Sequence, residues 1–265
     1  LPFHYSYGLS VINSHLIVGA KILMTNFSIA RKEFWEFFRK NDATSFAGVP
    51  FSYEILDRIR FHKMDVPCLQ TMTQAGGRLS TNLVKKFSDF CESTNRKFFV
   101  MYGQTEATAR ISFLEPEMIN SKLGSIGKSI PQGELNIDYS DNNSEQGELL
   151  YRGPNVCLGY ANTWRDLAKG DDNNGVLRTG DLASVDEDGY FFITGRKKRF
   201  IKLFGNRINL DSVEKLAEEI FGRCACSGDD QRLIIHHCLT AEVEEKLKLL
   251  SHKLGIHKSA IAECQ

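Results

Sequence analysis

The segment Tyr102 to Thr108, reading YGQTEAT, gathers several chemistries in one short turn directly behind the apolar run KFFVM. An aromatic ring at Tyr102 can stack on a base, the Thr105 hydroxyl can meet phosphate oxygens, and the Glu106 carboxylate can hold Mg2+ through oxygen ligation. The carboxyl end of a parallel strand is where α/β sheets take their ligands. The same residues also suit an ordinary strand–helix turn in which a helix dipole favours the glutamate. AGGRLS, Ala75 to Ser80, follows the preceding strand, and its Gly76 and Gly77 let backbone approach a planar ligand closely. A simple turn would use them equally well. RTGDL, Arg178 to Leu182, sets Asp181 behind a glycine, where a carboxylate can accept from both hydroxyls of a ribose or cap its own turn. GRKKRFIKLFGNRI, Gly195 to Ile208, holds six cations between Arg196 and Arg207 and carries Gly195 and Gly205 near its two ends. Such a run suits a nucleic-acid patch, a solvated linker or a hinge, and the change of sequence character on either side of it favours the hinge.

The elements that must position these residues follow a strand–helix rhythm. Leu9 to Val18 reads as a buried helix, Ala20 to Thr25 as a strand, and Ser28 as the N-cap of a helix from Ala30 to Lys40. A short strand near Thr44 to Ala47, a helix opened by Pro50, the strand LQTMTQ, a helix from Ser80 to Ser93 and the strand KFFVMYG complete the pattern. That alternation predicts an α/β fold, a parallel sheet with crossover helices. From about Ser125 the chain changes to short segments separated by Gly, Pro and Asn turns, as in a small antiparallel sheet or barrel, with a hairpin signal at Asp188 and Gly189. After Arg196 a strand, a helix from Asp211 to Phe221, a strand near Arg232, a helix from Ala241 to Leu254 and a last strand near Ser259 predict a small α+β domain. The boundary falls between Gly195 and Lys198, giving domains 1–195 and 196–265.

Composition narrows the partners. Lysine plus arginine number 33 and aspartate plus glutamate number 33, so no global field attracts nucleic acid or an anionic membrane. The longest apolar stretch, Leu9 to Met24, is interrupted by Asn13, Ser14, His15, Gly19 and Lys21 and does not predict membrane insertion. Seven cysteines without paired spacing, and no signal-peptide pattern, point to a reducing cytoplasm. Cys224 and Cys226 read as strand residues, since a lone C-x-C pair is poor zinc chemistry, and His236 and His237 read as packing residues of an apolar strand.

The four chemical segments in this order, together with LPFHYSYGLS at the start, GVPFSYEIL from Gly48 and GELLYRGPNVCLGY from Gly147, resemble the adenylate-forming (ANL) superfamily. Its members include acyl-CoA synthetases, peptide-synthetase adenylation domains and luciferases, and the likeness is greatest to the AMP-dependent synthetases and ligases that make acyl-CoA. The resemblance implies part of the large N-terminal ANL domain followed by a small mobile one. It implies a carboxylic acid substrate, ATP, Mg2+ and coenzyme A, with an acyl carrier protein as the alternative acceptor. A non-catalytic nucleotide-binding module of the same fold is the other reading.

By the resemblance, Tyr102 contacts adenine, Gly76, Gly77 and Arg78 line it, and Thr105 meets the phosphate; Gly103 and Gln104, on the same turn, are candidates for the nucleotide site and for the acid pocket. Glu106 holds the metal ion, while Asp181 and Arg196 hold the ribose. Lys198 matches the hinge, Gly205 the glycine near which the thiol's pantetheine passes, and Lys202 a lysine implicated in the thioester step. Tyr5, Tyr7, Gly8, Val49 and Ala75 are the candidate acid pocket, with Tyr5 as a gate beside His4. Their neutral chemistry suits an aliphatic or aromatic acid. The phosphate loop expected upstream of LPFHYSYGLS and the lysine expected past Gln265 are not in the sequence, and the chain opens on Leu1. The expectation is a chain truncated at both ends that binds nucleotide weakly and adenylates little by itself.

Overall fold

The structure, a computed structural model, describes residues 1–140, 146–197, 199–203, 206–229, 232–239 and 241–264. It falls into two units, one made of Leu1–Asn136, Leu150–Thr179 and Val185–Phe192, the other of Ile137–Leu149, Gly180–Ser184 and Ile193–Gln265.

The first unit is built on a mixed sheet of order β1-β2-β3-β4-β5. Strands β1 (Ser45–Gly48), β2 (Thr71–Gln74) and β3 (Lys97–Tyr102) are parallel, with Gly48 opposite Gln74 and Gln74 opposite Val100. Strands β4 (Ser112–Leu114) and β5 (Lys128–Ser129) add antiparallel beyond β3. Helices α1 (Ser6–Leu16), α2 (Lys32–Lys40), α3 (Pro50–Arg58) and α4 (Thr81–Ser93) complete this part. Pro50 occupies the first turn of α3, where its missing N–H costs nothing. Ser80 caps α4 by accepting from the Leu83 N–H. Helices α2, α3 and α4 cover one core of Trp35, Phe46, Tyr53, Leu56, Met72, Phe87 and Phe98. Tyr53 lies wholly inside it and donates its hydroxyl to the Thr73 carbonyl at 2.8 Å, which ties α3 to β2.

A four-stranded sheet of order β6-β7-β8-β9 follows, formed by β6 (Glu134–Asp138), β7 (Gly147–Arg152), β8 (Val176–Val185) and β9 (Phe191–Arg196). In the β8–β9 connection only Gly189 takes positive φ, at 78°, and Asp186 gathers the loop by accepting from the Asp188 and Tyr190 N–H groups. The second unit has its own core. Hairpin β10 (Phe200–Leu203) and β11 (Asn206–Asn209), helices α5 (Leu210–Phe221) and α6 (Val243–Leu254), and a sheet of β12 (Cys224–Gly228), β13 (Leu233–His237) and β14 (Ile261–Cys264) enclose Leu210, Val213, Leu233, Ile235 and Leu250. Cys224 and Cys226 are strand residues there, and no described group of three or more His, Cys, Asp or Glu residues could hold a metal ion. No described helix is long and apolar enough to cross a membrane.

The structure departs from the sequence-based expectations at several elements. The segment Ala20 to Thr25 is not a strand, because an apolar β-rich run needs a ladder partner and none of the described strands pairs with it. The first helix forms but only Tyr7 and Gly8 are buried; Leu9 and Leu16 are exposed, as are Ile17 and Val18 just past its end. Ser28 supports a turn by accepting from the Ala30 N–H, and α2 begins only at Lys32.

Candidate functional site

Parallel, in-register β1, β2 and β3 deliver their following residues to one edge of the sheet: Val49 after β1, Ala75 to Gly77 after β2, and Gly103 to Glu106 after β3. The start of α1 comes to the same edge. Ser6 Oγ lies 3.0 Å from Thr105 Oγ1, and a Cβ placed on Gly76 would fall 2.4 Å from the Tyr5 hydroxyl. Tyr7, Ala75 and Ala109 form a small buried cluster here, with Tyr5, Val11, Ala47, Val49 and Met101 packed against it. Four of the five expected acid-pocket residues, Tyr5, Tyr7, Val49 and Ala75, thus share one apolar cluster, and Gly8 is buried beneath Pro2, whose carbonyl a Cβ would meet at 2.1 Å. Gly76, Gly77 and Arg78 are exposed at this edge, and buried Gln74 steadies their turn by donating to the Gly77 carbonyl at 2.8 Å.

Tyr7 is nearly fully buried and its hydroxyl is 2.8 Å from Thr73 Oγ1. Burial pushes its phenol from the ordinary 10.0 up to about 12, with the Thr73 hydrogen bond and the nearby Arg110 charge acting in the opposite direction. Since the raised value belongs to the folded state, this contribution to stability is whole below pH 10.0 and is lost as pH climbs toward about 12. The expected result is a fall of ~1.4 kcal/mol per pH unit from this group within that window. Urea melts of wild type and Tyr7→Phe above and below that window measure it, the variant showing the shallower alkaline loss.

The turn after β3 is held in an uncommon backbone. Thr108 and Ala109 both take left-handed conformations, at φ 53° and 73°, which costs on the order of 1–3 kcal/mol per residue and persists only where surroundings dictate it. The surroundings are visible. Ala109 N–H donates to the Gln104 carbonyl and Ile111 N–H to that of Tyr102, each at 2.9 Å. The Asn155 amide donates to the carbonyls of Ala107 and Arg110 at 2.7 and 3.0 Å, and is itself anchored by the Tyr151 hydroxyl. Gln104 Nε2 donates to the Thr179 carbonyl at 2.9 Å, tying the turn to β8. Gly103 has no room for a side chain, since a Cβ there would lie 2.1 Å from the Ala109 carbonyl oxygen. Gly103→Ala is therefore expected to cost ~1–3 kcal/mol and to distort the turn, read as a drop in Tm.

Glu106 is half-buried and directs one carboxylate oxygen at the Tyr160 hydroxyl, which donates to it. That bond holds the Tyr160 phenol above its ordinary value. The backbone of the same segment closes on the turn as Cys157 N–H donates to the Glu106 carbonyl at 2.7 Å. No described lysine or arginine lies within ion-pair distance of Glu106. An unneutralised carboxylate with an oxygen to spare fits a hard divalent cation whose remaining ligands are water and phosphate oxygens. Asn155 and Tyr160 escape sequence reasoning because they sit in a Gly- and Asn-rich loop some fifty residues from the turn they brace.

In the second unit, Asp181 and Arg196 are together. Asp181 Oδ1 is 3.0 Å from Arg196 Nε, with the carboxylate side chain 4% exposed and the arginine 66%. Lys197 N–H donates to the Gly180 carbonyl at 2.7 Å, and its ammonium meets Glu148 at 2.9 Å. Lys198, Gly205 and the side chain of Lys202 lie outside the described residues.

Against known families, the model described as AMP-binding enzyme matches residues 1–161. The chain belongs to the AMP-binding enzyme family. The match takes in the AGGRLS and YGQTEAT turns and the Asn155–Tyr160 brace. A 2-succinylbenzoate–CoA ligase of Oceanobacillus iheyensis is 29% identical over 229 residues, covering 84% of this chain and 45% of that protein. A probable 4-coumarate–CoA ligase 3 of Dictyostelium discoideum is 30% identical over 230 residues, covering 82% of this chain and 40% of its own length. The chain thus spans less than half of each of these curated relatives. Its fold matches that of Bacillus subtilis o-succinylbenzoate CoA synthetase in complex with the acyl-adenylate OSB-AMP, at TM-score 0.78 and 22% identity, over 100% of this chain and 56% of that one.

Proposed function

We propose that this chain is the adenylate-holding part of an AMP-forming acid–thiol ligase. In the proposed reaction an oxygen of the substrate carboxylate attacks the α-phosphorus of ATP, the bond to pyrophosphate breaks, and acyl-AMP forms. The thiol sulfur of coenzyme A then attacks the acyl carbonyl, the carbon–oxygen bond to AMP breaks, and the thiol proton passes to solvent. Positioning and charge neutralisation supply most of the acceleration in such chemistry.

The observation that carries this reading is the braced turn Tyr102 to Glu106, which puts an aromatic ring, a hydroxyl and an unneutralised carboxylate beside the Gly76–Gly77 turn at one sheet edge. In the proposed roles Tyr102 with Gly76, Gly77 and Arg78 takes adenine; Thr105 takes the phosphate, with Gly103 and Gln104 beside it on the same turn; and Asp181 with Arg196 takes ribose. Tyr5, Tyr7, Gly8, Val49 and Ala75 face the acid. Mg2+ held at Glu106 would neutralise phosphate charge. Lys198 as hinge, Lys202 in the thioester step and Gly205 beside pantetheine rest on the family resemblance, as do the division into 1–195 and 196–265 and a cytoplasmic setting.

Photolabelling tests the adenine assignment. Irradiation with 8-azido-AMP followed by peptide mapping is expected to mark 75–80 or 97–104, with excess AMP suppressing the label. Suppressible labelling confined to 241–264 would contradict it.

A further inference from the structure

The mechanism above gives no task to Arg110, which follows the strained pair Thr108 and Ala109. Those two left-handed residues, together with Asn155 on the Arg110 carbonyl, fix its backbone under α1. Its side chain lies by the face of α1 that carries Tyr7, Val11 and Ser14, the face packed on the apolar cluster of the proposed acid pocket. One guanidinium nitrogen reaches Ser14 Oγ at 3.4 Å, close to the limit of a hydrogen bond. The Nε donor is buried and finds no partner among the described residues. No described carboxylate forms an ion pair with this arginine. A half-buried guanidinium with an idle donor is costly unless an acceptor, best an anion, completes it. A planar guanidinium suits a carboxylate, which accepts two parallel hydrogen bonds from it.

We infer that Arg110 is a specificity-determining residue that recognises an anionic group at the far end of the acyl substrate, so that the preferred acid carries a second carboxylate. This deepens the ligase reading and rests on it. It adds to the neutral pocket expected from Tyr5, Tyr7, Gly8, Val49 and Ala75 a charge from a residue just past the YGQTEAT segment.

Sulfamoyl adenosines N-acylated with succinyl, glutaryl or adipyl groups, each paired with its terminal primary amide, test the inference by titration calorimetry on this chain. At least one acid-terminated probe is expected to bind roughly 10–100-fold more tightly than its amide. Arg110→Gln should bring that ratio to about twofold or less while leaving AMP affinity unchanged, whereas a purely structural arginine would weaken both members of a pair alike. Equal binding within every pair in the wild type, or a preference that survives Arg110→Gln, overturns the inference while AMP binding leaves the ligase reading standing. Failure of AMP and of every probe to bind overturns both.

Discussion

Asp181→Ala is expected to weaken AMP binding by about a hundredfold, the largest loss from any single side chain outside the β3 turn. The carboxylate is almost fully withdrawn from water and paired with Arg196, an arrangement that fixes its orientation before a nucleotide arrives. Two ribose hydroxyls donating to one charged acceptor are worth roughly 1.5–3 kcal/mol per bond, or about 10–150-fold each. Removing that acceptor forfeits both. Asp181→Asn keeps the shape and one acceptor oxygen, so about a tenfold loss is expected there. Titration of both variants with AMP and with 2′,3′-dideoxy-AMP measures the effect. The dideoxy nucleotide should bind wild type and variants almost alike, and an equal loss for both nucleotides would remove Asp181 from the ribose site.

Glu106→Gln is expected to abolish the part of ATP affinity that depends on Mg2+ and to leave AMP affinity in EDTA unchanged. The substitution preserves size and can still accept from Tyr160, so the brace on the turn survives. What disappears is the full negative charge that a hard cation needs. For the wild type, Mg2+ should tighten ATP by at least about tenfold, equal to ~1.4 kcal/mol. In Glu106→Gln that increment should fall below about twofold. Retention of the full increment would place the metal elsewhere.

The parallel core of the first unit was legible because each of its strands lies between punctuators that act locally. Pro50 and Ser80 start α3 and α4 by their own backbone chemistry, whatever surrounds them. The segment Ala20 to Thr25 misled because a strand is a property of a pair, and the apolar side chains of Ile22 and Leu23 say nothing about whether a neighbour exists. The same limit applies to α1, whose sequence is apolar on faces that the described residues do not cover.

At the candidate site, the residues proposed to carry chemistry stand out by type, and those that hold them in place do not. Tyr102, Thr105 and Glu106 announce themselves by type and by ending or following a strand. Asn155 and Tyr160 act through long-range hydrogen bonds to the same turn, and nothing in an Asn or a Tyr inside a loop names its distant partner. Arg110 was passed over for a related reason, since a charge on a short strand-bound segment usually reaches solvent, and only the coordinates show its Nε buried. The left-handed backbone at Thr108 and Ala109 is likewise invisible in residue type, because neither threonine nor alanine favours it.

The central proposal is that the turns after β2 and β3 hold an adenosine monophosphate. Isothermal titration of this chain with AMP, against IMP as the base-altered control, tests it most directly. Saturable one-to-one binding of AMP, weaker binding of IMP, and loss of the AMP signal in Asp181→Ala and Gly103→Ala proteins that remain folded are expected. Absence of binding by the folded wild type, or binding that all of these changes leave untouched, would contradict it.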